Sequence, residues 1–278
     1  MMRVVVVGCG LIGGSLLALI KRHMPSTHIV GVDQDLSALA VAKKRGWVDV
    51  AVADLSPEIL TGVDMVIIAT PMAVVVPIIH HLTQTIQSPL TIIECSSVKS
   101  WLKTPAVQAT HHTIVPVHPM GGLDTSGIDL AHADVLAGVP MIVFSSHPSN
   151  EFFRQCTFNI TYCPSLECHD EWMAYVSHGP YVMAVLIPLL LSKKTEDDRK
   201  ILANVSAGGF RDTTRVSNSS VAWGVSVLKE NKGVMLAFLS NIMGVLKDFK
   251  DDIKHDRWDL VEDQLAHAKK ARAMVVNP

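Results

Sequence analysis

The sequence predicts an α/β protein with an N-terminal doubly wound Rossmann domain followed by an all-helical C-terminal domain. Three observations lead there. Through about residue 165, short β-branched runs alternate with stretches of helical length, the pattern of successive βαβ units. A G-x-G-x-x-G stands directly behind the first of these runs. Beyond Pro164 strand candidates vanish and long helical periodicities take over. A chain of 278 residues suits two ordinary domains, placed at 1–165 (dinucleotide binding) and 166–278 (helical).

Taken in order, the predicted strands are residues 3–7, 29–32, 65–69, 91–94, 113–117 and 141–144. Their near-continuous Val and Ile content, without strict alternation, is what strands covered on both faces require, hence a parallel sheet. In the second half the helical stretches are 172–185, 233–249 and 258–275. In the last of these, Leu260, Val261, Leu265, Ala268 and Ala271 share one face while Glu262, Asp263, Lys269, Lys270 and Arg272 lie outside it, predicting a packing helix with a solvated side. A small domain so rich in Leu, Val and Met is expected to complete its core against a second subunit, as a homodimer.

Composition narrows the partners. With 24 basic against 26 acidic residues, no single-sign field exists for a polyanion to follow, so nucleic acid is not an expected partner. The apolar runs at 182–191 and 65–69 fall short of the ~20 residues that span a bilayer. No membrane association is expected. The N-terminal Val run is followed by a glycine cluster rather than a small-residue cleavage site, so the start is read as structural and the protein as cytoplasmic. Cys9, Cys95, Cys156, Cys163 and Cys168 contain no C-x-x-C pair and are read as reduced thiols. Cys163, Cys168 and His169 lie close together, but no matching ligand pair occurs elsewhere, and no metal is expected.

Gly8-Cys9-Gly10-Leu11-Ile12-Gly13 follows a strand and opens an apolar helix, the context that gives this short motif its meaning. Gly8 is assigned to the tight turn, Gly10 to close backbone approach of a pyrophosphate, and Gly13 to helix–strand packing, with phosphates at the helix N-terminus beside Leu11 and Ile12. Asp33 ends the next strand about 20 residues on, where a carboxylate accepts hydrogen bonds from ribose hydroxyls. An anion there repels a 2′-phosphate and no arginine follows it, so NAD is expected over NADP. Thr70 and Pro71, after the strand at 65–69, are expected to line the same sheet edge.

His118, in Val117-His118-Pro119-Met120-Gly121-Gly122, follows a predicted strand at the carboxyl edge of the sheet. Its imidazole suits a general base near neutrality; the alternative is a histidine that merely caps the turn. Ser97, in Cys95-Ser96-Ser97-Val98-Lys99, ends a neighbouring strand and can position a substrate oxygen; Ser96 and Ser97 read equally as N-caps, and Lys99 as a surface charge. Arg211 and Arg215, four apart behind Gly208-Gly209, suit a carboxylate substrate, with a surface pair between Arg211 and Asp212 as the alternative. His178 sits before Gly179-Pro180-Tyr181, where a helix should kink and open a pocket; alone it reads equally as a core histidine.

Taken together, Gly-Cys-Gly-Leu-Ile-Gly-Gly-Ser at 8–15, Ser-Val-Lys at 97–99, His-Pro-Met-Gly-Gly at 118–122, Ser-His-Gly-Pro at 177–180 and Gly-Gly-Phe-Arg-Asp-Thr-Thr-Arg at 208–215 resemble the prephenate/arogenate dehydrogenases of tyrosine biosynthesis. The resemblance spans nearly the whole chain. It implies an NAD-dependent oxidative decarboxylation of prephenate to 4-hydroxyphenylpyruvate, or of arogenate to tyrosine. It further implies that His118 takes the proton of the ring 4-hydroxyl, that Ser97 holds that hydroxyl, and that Arg215 binds a substrate carboxylate. His178 matches the first histidine of a family Ser-His-Leu-Pro-His pattern, whereas Tyr181 replaces the second, a substrate-facing position. Asp124 is open to two readings, a partner for the ammonium of arogenate or a solvated loop acid. Competing readings are a β-hydroxyacid dehydrogenase or imine reductase, which would not need His118, and a non-catalytic NAD-binding sensor, against which the presence of both His118 and Arg215 argues.

Overall fold

In a computed structural model that describes residues 1–276, apart from the side chain of Ala106, eight strands form one sheet. They are β1 (Arg3–Val7), β2 (His28–Val32), β3 (Val50–Val52), β4 (Met65–Ile68), β5 (Thr91–Glu94), β6 (Thr113–Pro119), β7 (Pro140–Val143) and β8 (Asn159–Tyr162). Their order across the sheet is β3-β2-β1-β4-β5-β6-β7-β8. Between them run α1 (Leu11–His23), α2 (Leu36–Lys44), the one-turn α3 (Pro57–Leu60), α4 (Met72–Thr85), the one-turn α5 (Pro105–Gln108) and α6 (Ser149–Gln155).

β1 to β6 are parallel, and Val4, Val5, Val6, Ile67, Ile92 and Ile93 are fully buried, as a sheet covered on both faces demands. Strand order reverses between β2-β1 and β1-β4, the point at which doubly wound sheets open a crevice at their carboxyl edge. The predicted all-parallel sheet needs one correction. β7 runs antiparallel to β6, pairing Ile142 with His118. β6 also extends two residues beyond the expected end, so His118 lies within the strand and not in the turn after it.

After β8 the described residues are helical: α7 (Leu166–Met173), a π-helical turn at Ala174–His178, α8 (Gly179–Leu191), α9 (Glu196–Val205), α10 (Gly208–Thr214), a 3-10 turn at Arg215–Asn218, α11 (Val221–Glu230), α12 (Lys232–Lys254) and α13 (Trp258–Val276). The segment Leu166–Leu191 is a continuous helix of 26 residues and mean hydropathy 1.5, long and apolar enough to cross a membrane by length and composition, with a third of its apolar window buried. The run at 182–191, too short for this by itself, is the end of that helix, which continues from α7 through the π turn.

By packing, residues 1–232 form one compact unit and the described residues from 233 onward another. In the first, Leu186, Ile187, Leu189 and Leu190 of α8 are exposed. In the second, the expected packing face of α13 is largely uncovered, with Val261 buried but Leu260 43% and Leu265 58% exposed. Within one chain, the packing expected of this helix is therefore made at Val261 and left open at Leu260 and Leu265.

Candidate active site

The glycine turn is built by sterics. Gly8 has φ +91°, and a Cβ there would stand 2.7 Å from the Ala69 carbonyl oxygen. A Cβ on Gly13 would collide with the Gly8 carbonyl oxygen, so the helix can approach the strand only without one. Gly10 differs: the space its Cβ would enter is open. That opening, at the N-terminus of α1 where the Leu11 and Ile12 amides begin the helix, is shaped for a phosphate group. Asp33 closes the loop, its carboxylate accepting the Cys9 N–H at 2.6 Å and the Asp35 N–H at 2.9 Å. Thr70 lies against the Gly8 turn with its Oγ1 buried and unpartnered, and Pro71 caps α4. An open cradle, an orphaned hydroxyl and an edge carboxylate together fit a dinucleotide.

Because β1, β4, β5 and β6 are successive neighbours, Gly8, Thr70, Ser97 and His118 sit along one carboxyl edge. Ile12 approaches Gly122, bringing the glycine loop beside the turn that follows His118. The Ser96 hydroxyl donates to the Val98 carbonyl and accepts from the Trp101 indole N–H, tying up the turn. Ser97, half-buried, keeps its hydroxyl free of any other described residue. Neither serine caps a helix. The N–H groups of Lys99 and Ser100 are instead taken at 2.8 Å by the two carboxylate oxygens of Asp170.

Lys99 corrects the surface-charge reading. It is fully buried, with Nζ 2.6 Å from Glu94 Oε2 and bonded to the Glu94 carbonyl oxygen.

His118 is buried, with Nδ1 2.9 Å from His169 Nε2; His169 Nδ1 stands 2.7 Å from Asp170 Oδ1. Burial pushes the His118 imidazole well below its usual range, helped by the charges of His169, Lys99 and His178. His169 is lowered too, chiefly by burial, against the pull of Asp170. Burial pushes the Asp170 carboxyl up, but hydrogen bonds from His169, Ser100 and Lys99 outweigh it and hold the group below its usual range. His169, considered in the sequence only as a metal ligand, thus serves His118. Among the described residues no group of three or more His, Cys, Asp or Glu side chains is placed to hold a metal ion.

His178 ends the π turn, a distortion that often marks functional positions. Its Nδ1 lies 3.3 Å from the Asn231 amide nitrogen, which also donates to the Asp170 carbonyl at 2.9 Å. That amide makes Nδ1 the acceptor, leaving a buried, unpartnered Nε2–H. Trp223 packs edge-on against both His178 and Tyr181. Burial lowers His178 to about 4.

The stability consequence has a definite sign. Between the unfolded value near 6.5 and the folded value near 4, the unfolded chain binds the proton and the native one does not, so stability falls as pH drops through that window. His178 alone contributes up to about 3 kcal/mol, reinforced by His118 and His169. Urea melts at pH 7.5 and at successively lower pH should show the midpoint falling below about pH 6.5; a midpoint flat down to about pH 4 would contradict the buried neutral histidines.

Arg215 opens the 3-10 turn after α10 and is mostly exposed. Its Nη1 lies 3.6 Å from Asp124 Oδ2. Asp124 is therefore not a free loop acid. α10 ends at Thr214, so Arg211 and Arg215 do not share one uninterrupted helix as the spacing suggested.

The family described as "Prephenate dehydrogenase, nucleotide-binding domain" matches residues 17–157, and "Prephenate dehydrogenase, dimerization domain" matches residues 165–268. A cyclohexadienyl dehydrogenase of Zymomonas mobilis is 25% identical over 97% of this chain and 94% of its own length. A prephenate dehydrogenase of Lactococcus lactis is 26% identical over 98% of this chain and 77% of its own. In fold, the crystal structure of Aquifex aeolicus prephenate dehydrogenase with hydroxyphenyl propionate and NAD+ superposes with a TM-score of 0.87 at 23% identity, covering 99% of this chain and 98% of that one.

Proposed function

We propose, from the premise that this chain belongs to the prephenate dehydrogenase family of oxidoreductases, that it catalyses the NAD-dependent oxidative decarboxylation of prephenate to 4-hydroxyphenylpyruvate in tyrosine biosynthesis. The observation that carries this reading is His118, buried on the carboxyl edge beside the glycine loop and held at Nδ1 by a second histidine.

NAD, when bound, supplies the acceptor for the hydride of the ring carbon bearing the hydroxyl. Gly8, Gly10, Gly13 and the amides of Leu11 and Ile12 would hold its pyrophosphate, Asp33 its ribose, and Thr70 and Pro71 the wall nearer the reacting ring. Asp33 disfavours a 2′-phosphate by charge. Ser97 orients the substrate hydroxyl, and His118 accepts its proton as the carbinol carbon is oxidised. Loss of CO2 pushes electrons onto that oxygen, and His118 returns the proton to the new phenol. Arg215 docks a substrate carboxylate, while His178 offers its Nε2–H as a donor and Tyr181 shapes the pocket wall.

One observation favours a second substrate within the same reaction. Asp124 beside Arg215 makes a mixed-charge pair suited to the ammonium and carboxylate of an amino acid, as in arogenate giving tyrosine. The deciding assay is NADH formation by the purified chain with prephenate or arogenate, and NADP in parallel. Turnover with NAD on either substrate is the expected result. NAD binding without turnover on either would support a sensor instead. Arg215→Ala should raise KM about 10–100-fold with kcat little changed, the loss of one charge-assisted carboxylate contact.

The exposed leucines and isoleucine of α8 and the open face of α13 fit burial against a second copy, consistent with the dimerization family matched over residues 165–268. Leu166–Leu191 suits that core better than lipid, because it carries the buried His169 and Asp170. Light scattering should give twice the 30.2 kDa chain mass, and Ile187→Glu should shift it toward one; a monomer at all concentrations would exclude the dimer. A cytoplasmic location agrees with the free cysteines; of the four buried ones, Cys9, Cys95 and Cys156 are pushed up to about 12 and Cys163 is raised too, chiefly by burial.

A further inference from the structure

We propose that His169 and Asp170 are positioning residues that hold His118 in its Nδ1–H tautomer and so present its Nε2 lone pair to the substrate hydroxyl. The inference rests on His118 being the base and goes beyond it to what sets that base.

The donors can be followed outward from the carboxylate. Asp170 already accepts the N–H groups of Lys99 and Ser100, so its backbone-bonded oxygens are anchored before any histidine is considered. An ionised carboxylate only accepts, which requires His169 Nδ1 to be the donor at 2.7 Å. A neutral His169 then carries its lone pair on Nε2. Across the 2.9 Å contact His118 Nδ1 must donate, and Nε2 of His118 is the remaining acceptor. The groups facing His118 favour its neutral form: His169 from α7, His178 from the π turn, and Lys99 from the loop after β5; behind them Asp170 and Glu94 pull His169 toward its charged form, and burial outweighs that pull. Phe144 packs its ring 5.6 Å from that of His169, closing the apolar side.

When the substrate O–H bond breaks, its proton joins His118 Nε2, while NAD, when bound, would supply the hydride acceptor. The resulting imidazolium keeps its Nδ1 proton in the bond to His169 Nε2, and the Asp170 carboxylate offsets the charge through His169. No other proton needs to leave the site, and decarboxylation returns the first one to the phenol oxygen.

Long-range proton–nitrogen NMR of the 15N-histidine-labelled chain, without substrate, reads the tautomer directly, with His118 assigned by its loss in His118→Asn. The Nδ1–H form is expected; an Nε2–H form overturns the proposal. His169→Phe should remove the preference and lower kcat about 10²-fold with NAD affinity unchanged. His169→Gln, whose carbonyl can still accept from Nδ1–H, should recover part of that loss and carries the test if the phenylalanine variant does not fold. Wild-type kcat and pH profile in both His169 variants, alongside an inactive His118→Asn, would sink the positioning role and leave the base standing. Full turnover in His118→Asn would instead remove the base, and the NMR result would still decide the tautomer.

Discussion

His118→Asn should bind NAD as the wild type does and lose at least about 10²-fold in kcat, the scale of removing a general base. The substitution keeps a polar side chain facing His169 Nε2 and removes the imidazole nitrogen proposed to take the substrate proton. Titration of the cofactor by fluorescence quenching separates the two effects, because the glycine cradle and Asp33 are built by β1 and β2, not by β6. In the wild type the acidic limb of kcat/KM should fall below the ordinary histidine range. Burial disfavours the imidazolium, so the base stays unprotonated as pH drops. An unchanged kcat in His118→Asn would exclude this histidine from the chemistry.

Lys99→Met should destabilise the fold by about 3–5 kcal/mol, the usual result of stripping one partner from a buried ion pair. Both Lys99 and Glu94 are fully buried, and the lone Glu94 carboxylate would keep only the Ser96 N–H. Adding Glu94→Gln should restore much of the loss, since the uncompensated charge is then gone. Urea unfolding of the two variants checks this; a single-variant loss under about 1 kcal/mol would mean the pair is solvated. Lys99 also stands among the cations that weaken proton binding at His118. Its removal should therefore move the acidic limb of activity toward higher pH.

The first-half fold was written locally. Runs such as Val4–Val7 and Thr91–Glu94 are too apolar and too short to be anything but buried strands, and a G-x-G-x-x-G behind one of them needs no distant residue to be understood. β3 and β8 escaped notice because they are three- and four-residue edge strands, and Asn159 and Tyr162 of β8 stay exposed, so no burial pattern marks them. The reversal of β7 was likewise silent, since strand direction depends on how the loop after His118 returns.

Residue chemistry and spacing along the chain determined the cofactor loop, the acid at Asp33 and the family signature carrying His118, Ser97 and Arg215. Through-space arrangement alone decided that Lys99 is a buried partner of Glu94, that Asp170 caps the turn after Ser97, and that His169 reaches His118 from 51 residues away. The reason is physical: tautomers, buried charges and proton affinities depend on which groups converge in a site stripped of water, and convergence across the sheet edge leaves no periodic trace in sequence.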